Sequence, residues 1–165
     1  MARKPRIVPD TSVLIPVYFP ETTVWQGNPF DLSGRAERLH DAIWTGRVTA
    51  YAPHVLVNEF LRVAYRKVHE SGSVDTTHLE NVLDQFLHLV RRHRITLVET
   101  VILAERARDV PETPEPKWPD AWFIACAKAM AAELWISHPQ RDELKREAER
   151  AGVVVRTLAA DARRL

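Results

Sequence analysis

The chain has 165 residues, 45% of them hydrophobic and 27% charged, with five Trp, which gives one domain enough apolar material for a real core and excludes a disordered composition. Lys and Arg number 23 against 22 Asp and Glu, so a net charge of +1 excludes a basic tail or a globally cationic nucleic-acid binder, but not a local basic patch. A single cysteine, Cys126, excludes an internal disulfide and a cysteine zinc cage, and no apolar run approaches the ~18 residues of a membrane span.

In chain order, Ile7-Val8 leads into Pro9-Asp10, a strand that stops at an acid. Asp10 and Pro16 break the apolar run that follows Arg3-Lys4-Pro5-Arg6, against a signal peptide, and a cytoplasmic protein is expected. Ser12 is placed as the cap of a short apolar helix through Val17, and residues 20–33 read as a long surface loop. Ser33 is placed as the cap of a helix to about Thr45, with Ala36, Leu39, Ile43 and Trp44 on one face. Residues 48–51 form a strand, 54–70 a helix closed by Ser71-Gly72-Ser73, and a further amphipathic helix begins at Asp75 or Thr76. Then come a strand over 95–98, a helix from Val101 to about Asp109, and a proline-rich loop over 110–116. Pro119 opens the most apolar helix, predicted to run to Glu133, and Leu134-Trp135-Ile136 is a strand ending at Ser137. A charged helix over 141–151 is stopped by Gly152, and 153–155 is the last strand. About five strands separated by helices predict a single α/β domain over 1–165, its mostly parallel sheet covered on both faces. In such sheets ligands gather beyond the carboxyl ends of the strands.

Five scattered glycines leave no phosphate cradle, and neither a Gly-x-Ser-x-Gly nucleophile nor a His-Glu-x-x-His zinc pair is present. Cys126, on the apolar helix, reads as a small core residue, and His138 as a surface one. Four acids stand apart from the solvated helix faces that hold most of the others. Asp10 ends the first strand, and Glu59 interrupts the apolar run Val55-Leu56-Val57-Asn58-Glu59-Phe60-Leu61. Asp120 lies in the first turn of the apolar helix, and Asp142 follows the strand ending at Ser137. Singly they could be turn residues, helix-dipole partners or, for Glu59, a mate of Arg62 or Arg66. Together, three fall at one sheet edge and the fourth on a helix that follows a strand. Carboxylates gathered there repel one another, and an oxygen-only cation site for Mg²⁺ or Mn²⁺ removes the conflict.

These segments resemble the motifs of the PIN-domain nucleases. Val8-Pro9-Asp10-Thr11-Ser12-Val13-Leu14-Ile15 is similar to their opening motif, and residues 51–60, ending Asn58-Glu59-Phe60, to the second. Pro119-Asp120-Ala121-Trp122-Phe123-Ile124-Ala125-Cys126-Ala127 is similar to the third, and Leu134-Trp135-Ile136-Ser137 with Asp142 and Leu144 to the last. The resemblance spans nearly the whole chain in the right order and is greatest to the VapC-like toxins of type II toxin-antitoxin pairs. It implies a three-layer α/β/α sandwich, an Mg²⁺- or Mn²⁺-dependent endoribonuclease that hydrolyses RNA phosphodiester bonds, a homodimer, and a small antitoxin protein as inhibitor.

Carried over by position, the resemblance implies Asp10, Glu59, Asp120 and Asp142 as the catalytic acids, with Asp10 and Asp120 as the principal metal ligands, Asp142 as a further one directly or through water, and Glu59 orienting or deprotonating the attacking water. Ser12 and Ser137 could fix ligand geometry. Arg62, Arg66, Lys67, Arg141, Lys145 and Arg146 are candidate phosphate contacts, and Trp25, Trp118 and Trp122 candidate stacking surfaces. The chain departs from the family pattern at Pro139, where Asn or Asp is usual, and in the length of the 20–33 loop. Pro139 favours the alternative of a degenerate PIN-like module that only binds RNA or protein. A PIN nuclease of RNA processing or DNA repair without an antitoxin is the other reading.

Overall fold

The computed structural model describes residues 4–20, 22–25, 28–71, 76–107, 119–137 and 142–162. Its centre is a five-stranded parallel sheet built from β1 (Arg6–Pro9), β4 (Thr49–Pro53), β5 (Ile95–Val98), β6 (Glu133–Ile136) and β7 (Val155–Thr157), in the order β5-β4-β1-β6-β7. The first strand is therefore the middle one. It pairs with β4 from Arg6↔Thr49 and with β6 from Ile7↔Glu133 to Pro9↔Trp135.

The order fixes the layers. Crossovers from β1 to β4 to β5 run one way along the sheet and those from β5 to β6 to β7 run the other, so right-handed connections put their helices on opposite faces. Helices α1 (Thr11–Tyr18), α2 (Leu32–Trp44), α3 (Val55–Ser71) and α4 (Thr76–Arg91) precede β5, and α8 (Leu158–Asp161) packs on α2. Helices α5 (Thr100–Ala107), α6 (Asp120–Met130) and α7 (Asp142–Arg150) form the second group, with α6 lying across β4, β1 and β6. This is a three-layer α/β/α arrangement. A sheet covered on both faces needs strands without polar alternation, and Ile7, Val8 and Pro9 are all buried, as are Leu134, Trp135 and Ile136. Under α3 and α4 the core is aromatic: Phe60 stacks on Phe86 with centroids 3.9 Å apart, and Tyr18 meets Phe60 edge-on at 5.5 Å.

Several boundaries differ from the sequence expectations, each for a local reason. The stretch expected to be a loop over 20–33 holds an antiparallel pair, β2 (Thr22–Trp25) and β3 (Asn28–Asp31), separate from the main sheet. Its Thr-Thr-Val-Trp run has the β-branched and aromatic character of a strand. The cap of α1 is Asp10, whose carboxylate accepts from Ser12 N, and the cap of α2 is Asp31, which accepts from Gly34 N at 2.8 Å. The serines expected there lie inside the first turns. Helix α6 stops at Met130 because Ala131 turns left-handed, with φ 47°, freeing Glu133 to begin β6. The last strand starts two residues later than expected. Its ladder runs from Leu134↔Val155 to Ile136↔Thr157, after which Thr157 Oγ1 caps α8 by accepting from Ala160 N. The expected 110–116 loop lies outside the described residues.

Two stability predictions follow from these helices. A Cβ on Gly34 would overlap the Asp31 carboxylate that caps α2. Gly34→Ala gains helix propensity worth about 0.5–1 kcal/mol but displaces a cap worth about 1 kcal/mol. It is therefore near neutral or slightly destabilising alone and stabilising in an Asp31→Ala background, a change of sign that urea melts of the double-mutant cycle read directly. The second concerns His40, whose Nε2 lies 3.4 Å from the Tyr18 hydroxyl. Burial lowers its pKa below the usual imidazole value, while Asp41 and Glu37 work the other way. As pH falls below ~6.5 the unfolded chain takes up the proton first, so the contribution of neutral His40 is complete above that pH and is lost on acidification toward the lowered folded value. The loss of stability between pH 8 and pH 5.5 is then larger for wild type than for His40→Gln in denaturant melts.

Candidate functional site

Asp10 leaves β1 at the middle of the sheet and has no exposed surface. Its N–H donates to the Trp135 carbonyl at 2.9 Å, extending the β1–β6 ladder one step, and its carbonyl accepts from Val13 N at 3.1 Å. Its Oδ2 accepts from Ser12 N at 3.1 Å. The carboxylate thus sits at the N-terminus of α1, where the helix dipole favours negative charge. Three consecutive residues carry out three tasks. Asp10 caps the helix, Thr11 Oγ1 donates to Glu59 Oε2 at 2.6 Å, and Ser12 Oγ accepts from Ser137 N at 3.2 Å. The last bond ties the carboxyl ends of β1 and β6 together. The chain continues from β1 toward β4 and from β6 toward β7, so the gap between these two ends is the switch point where open α/β sheets hold their ligands.

Glu59 lies in the second turn of α3, which begins two residues after β4 ends, and is half-buried. Its partner is Thr11 on the neighbouring element. Thr11 carries a contact that the sequence motifs do not single out; the Asp-Thr-Ser run leaving a buried strand is its signal. Asp120 opens α6, which leads into β6 and so begins at the same carboxyl edge, with its side chain half-buried. Asp142 opens α7 beyond β6; its side chain lies outside the described residues. The backbone thus brings all four acids to one edge of the sheet, and a direct bridge joins the β1 and α3 contributions through Thr11.

Among the described residues, no group of three or more His, Cys, Asp or Glu is arranged to hold a metal ion. What is present is an oxygen donor set of low count. That chemistry fits Mg²⁺, which is commonly held by one or two carboxylates, keeps several waters and takes further oxygens from a phosphate substrate. It does not fit a closed structural cage.

The other candidates fare unevenly. Arg62 and Arg66 are exposed, with Arg66 in a loose 3.8 Å pair with Glu70, and Lys145 pairs with Glu149 at 3.9 Å, as solvated helix faces do. Trp122 packs half-buried against the core. Cys126 is fully buried and burial pushes its thiol up to about 12, which leaves it inert. Trp118, His138, Pro139 and Arg141 lie outside the described residues, as does the side chain of Trp25. No described helix is long and apolar enough to cross a membrane.

No protein-family model matches the chain, and comparison with curated proteins finds no match. Among solved structures it is similar to PAE2754 from Pyrobaculum aerophilum, with a TM-score of 0.54 and 17% identity over 93% of this chain and 85% of that one. At that identity the likeness shows a shared α/β fold.

The Thr11 bridge yields a test of the site's rigidity. Thr11 is buried, and Thr11→Val keeps its shape while removing the donor to Glu59. Loss of a hydrogen bond to a charged group costs about 1.5–3 kcal/mol. Thr11→Val is expected to lose that much in urea unfolding, and Thr11→Ser to lose clearly less.

Proposed function

We propose that this chain is an Mg²⁺- or Mn²⁺-dependent endoribonuclease whose reaction takes place at the carboxyl edge of the sheet. The observation that carries the reading is the fully buried carboxylate of Asp10 at the switch point, coupled through Thr11 to Glu59. Burying a carboxylate is costly unless it is compensated. A cation and the phosphate it would bind give that burial a purpose that a turn or a surface cap does not.

Asp10 and Asp120 would hold the ion, with Asp142 as the third carboxylate that the sequence pattern supplies. When bound, such an ion polarises a phosphoryl oxygen and offsets the charge that develops on the phosphodiester. Glu59 keeps one oxygen on the Thr11 hydroxyl, which fixes its orientation, so its role is to align an attacking water and take its proton. Ser12 and Ser137 hold the two strand ends at a constant separation, so that groups from β1 and from the β6 side keep their register.

The four-motif resemblance in the sequence adds the toxin of a type II pair, with a small antitoxin as inhibitor and a homodimer as the working form. A metal-free binding module is the second reading. Pro139, which stands where the resembled family usually carries Asn or Asp, is the feature that favours it.

Cleavage of single-stranded or structured RNA, read by gel with Mn²⁺, Mg²⁺ or EDTA, separates these readings. The expected outcome is activity with either metal and none in EDTA. Activity that persists in chelator removes the metal-site reading, and RNA binding without cleavage under any metal establishes the module. Variants at Asp10 complete the test. Asn caps a helix as well as Asp, so Asp10→Asn is expected to abolish cleavage while its melting temperature in EDTA stays at or above wild type. Asp10→Ala loses the cap as well, and about 1 kcal/mol with it. If Asp10→Asn melts well below wild type in EDTA, the carboxylate serves the fold.

A further inference from the structure

We infer that the opposite, amino edge of the sheet is a second RNA-contacting surface, where the phosphates of a single strand lie along Lys4 and Arg94 and one unpaired base enters the cleft beside Trp44. The register of the sheet creates this surface. Lys4 precedes β1, Arg47 precedes β4 and Arg91, Arg92 and Arg94 precede β5, and these three strands are neighbours. Adjacent strands lie about 4.8 Å apart, so three strands enter the sheet side by side, each from a cation. Gly46 marks how closely they gather. Lys4 Nζ lies 3.8 Å, and Arg94 Nη1 3.7 Å, from where a Cβ on that residue would sit. Lys4, Arg91, Arg92 and Arg94 are all exposed, and none of them makes a salt bridge among the described residues. Arg47 pairs with Asp41. In a chain of net charge +1, this is a strong local excess of positive charge.

Helices that lead into parallel strands end at the same edge, and α2 ends on Trp44. Trp44 is 39% exposed, with the His88 ring 5.4 Å from its own and the Arg94 guanidinium over it at 5.7 Å. Beside it, α2 and α4 enclose a cleft of about 410 Å³ whose walls include Asp41, Asp84 and Gln85. That lining decides between polyanions. Asp41 and Asp84 repel an acidic peptide side chain. A base is neutral, stacks on an indole, and finds hydrogen-bonding groups in Asp84 and Gln85 while its phosphate stays outside on the cations. Arg94, exposed and flexible, gives up its place over Trp44 to the base and turns to the phosphate. The strands between this edge and the acids are four to five residues long, roughly 13–17 Å, so the surface is separate from the proposed reaction site.

The test is binding of a fluorescein-labelled eight-nucleotide RNA by anisotropy, in EDTA so that no cleavage intervenes, across 50–200 mM salt. Wild type is expected to bind with strong salt dependence. Lys4→Glu/Arg94→Glu is expected to weaken binding about tenfold or more and to flatten the log–log salt slope by about 1.4, that is about 0.7 for each phosphate no longer neutralised. Trp44→Ala is expected to weaken it about 5- to 150-fold with the salt slope unchanged. Lys4 and Arg94 are exposed, so the charge variant keeps its circular dichroism and melting temperature even where Trp44→Ala does not. Absence of binding by wild type, wild-type affinity in the charge variant, or displacement of RNA by oligoglutamate as readily as by unlabelled RNA overturns the inference. A failure to cleave RNA in Mn²⁺ overturns the proposed reaction and leaves this result standing, because the binding assay contains no metal.

Discussion

A carboxylate without exposed surface, at the end of the middle strand, is the constraint around which this chain is organised. Asp10 cannot be solvated, so its surroundings must supply what water would. Ser12 N in the first turn of α1 donates to Oδ2 and the positive end of the α1 dipole favours the charge, while the Asp10 N–H fixes the backbone by donating to the Trp135 carbonyl. Thr11 and Ser12, which follow, commit their hydroxyls to α3 and to the end of β6. Three residues thereby fasten both sides of the central strand, and the groups that could do chemistry are the same ones that hold the strand ends together.

The two edges of the sheet differ in charge because parallel strands give each edge a single kind of chain segment. Every strand leaves at the carboxyl edge, and the residues there or on the helices that open there include Asp10, Glu59, Asp120 and Asp142. Every strand enters at the amino edge, where Lys4, Arg47 and Arg94 stand. Near-neutral composition hides this separation. A charge count treats the molecule as one sphere, and only topology sets Asp10, Glu59, Asp120 and Asp142 toward one edge and Lys4, Arg47 and Arg94 at the other.

Much of the architecture was legible because its signals are local and periodic. The alternation of short apolar runs with amphipathic helices read as a covered parallel sheet, and the strand over 95–98 was placed to the residue. The caps were misplaced. Deciding between Asp10 and Ser12, or between Asp31 and Ser33, depends on where the strand stops, which long-range pairing sets. The β2–β3 pair escapes a local reading because Pro20, Gly27, Asn28 and Pro29 give this stretch the composition of a loop. At the site, the unusual surroundings of Asp10 and Glu59 were visible as acids among apolar neighbours, but their link through Thr11 joins residues 48 positions apart, and no local pattern reports that. The basic edge went unseen for the same reason. Lys4, Arg47 and Arg94 are neighbours only once β1, β4 and β5 have been ordered.

The bond between Ser12 and Ser137 spans 125 positions. A chain emerging from the ribosome at roughly 5–20 residues per second has completed the strand that ends in Asp10 many seconds before the strand that closes beside it exists. During that interval β1 can pair with β4 on one side only, β5 adding beyond β4, and its β6 side stays open. Any activity that needs the closed gap between β1 and β6 is therefore silent until β6 has emerged from the ribosome. The topology acts as a timer, in which the arrival of β6 sets the moment at which the gap beside Asp10 can close.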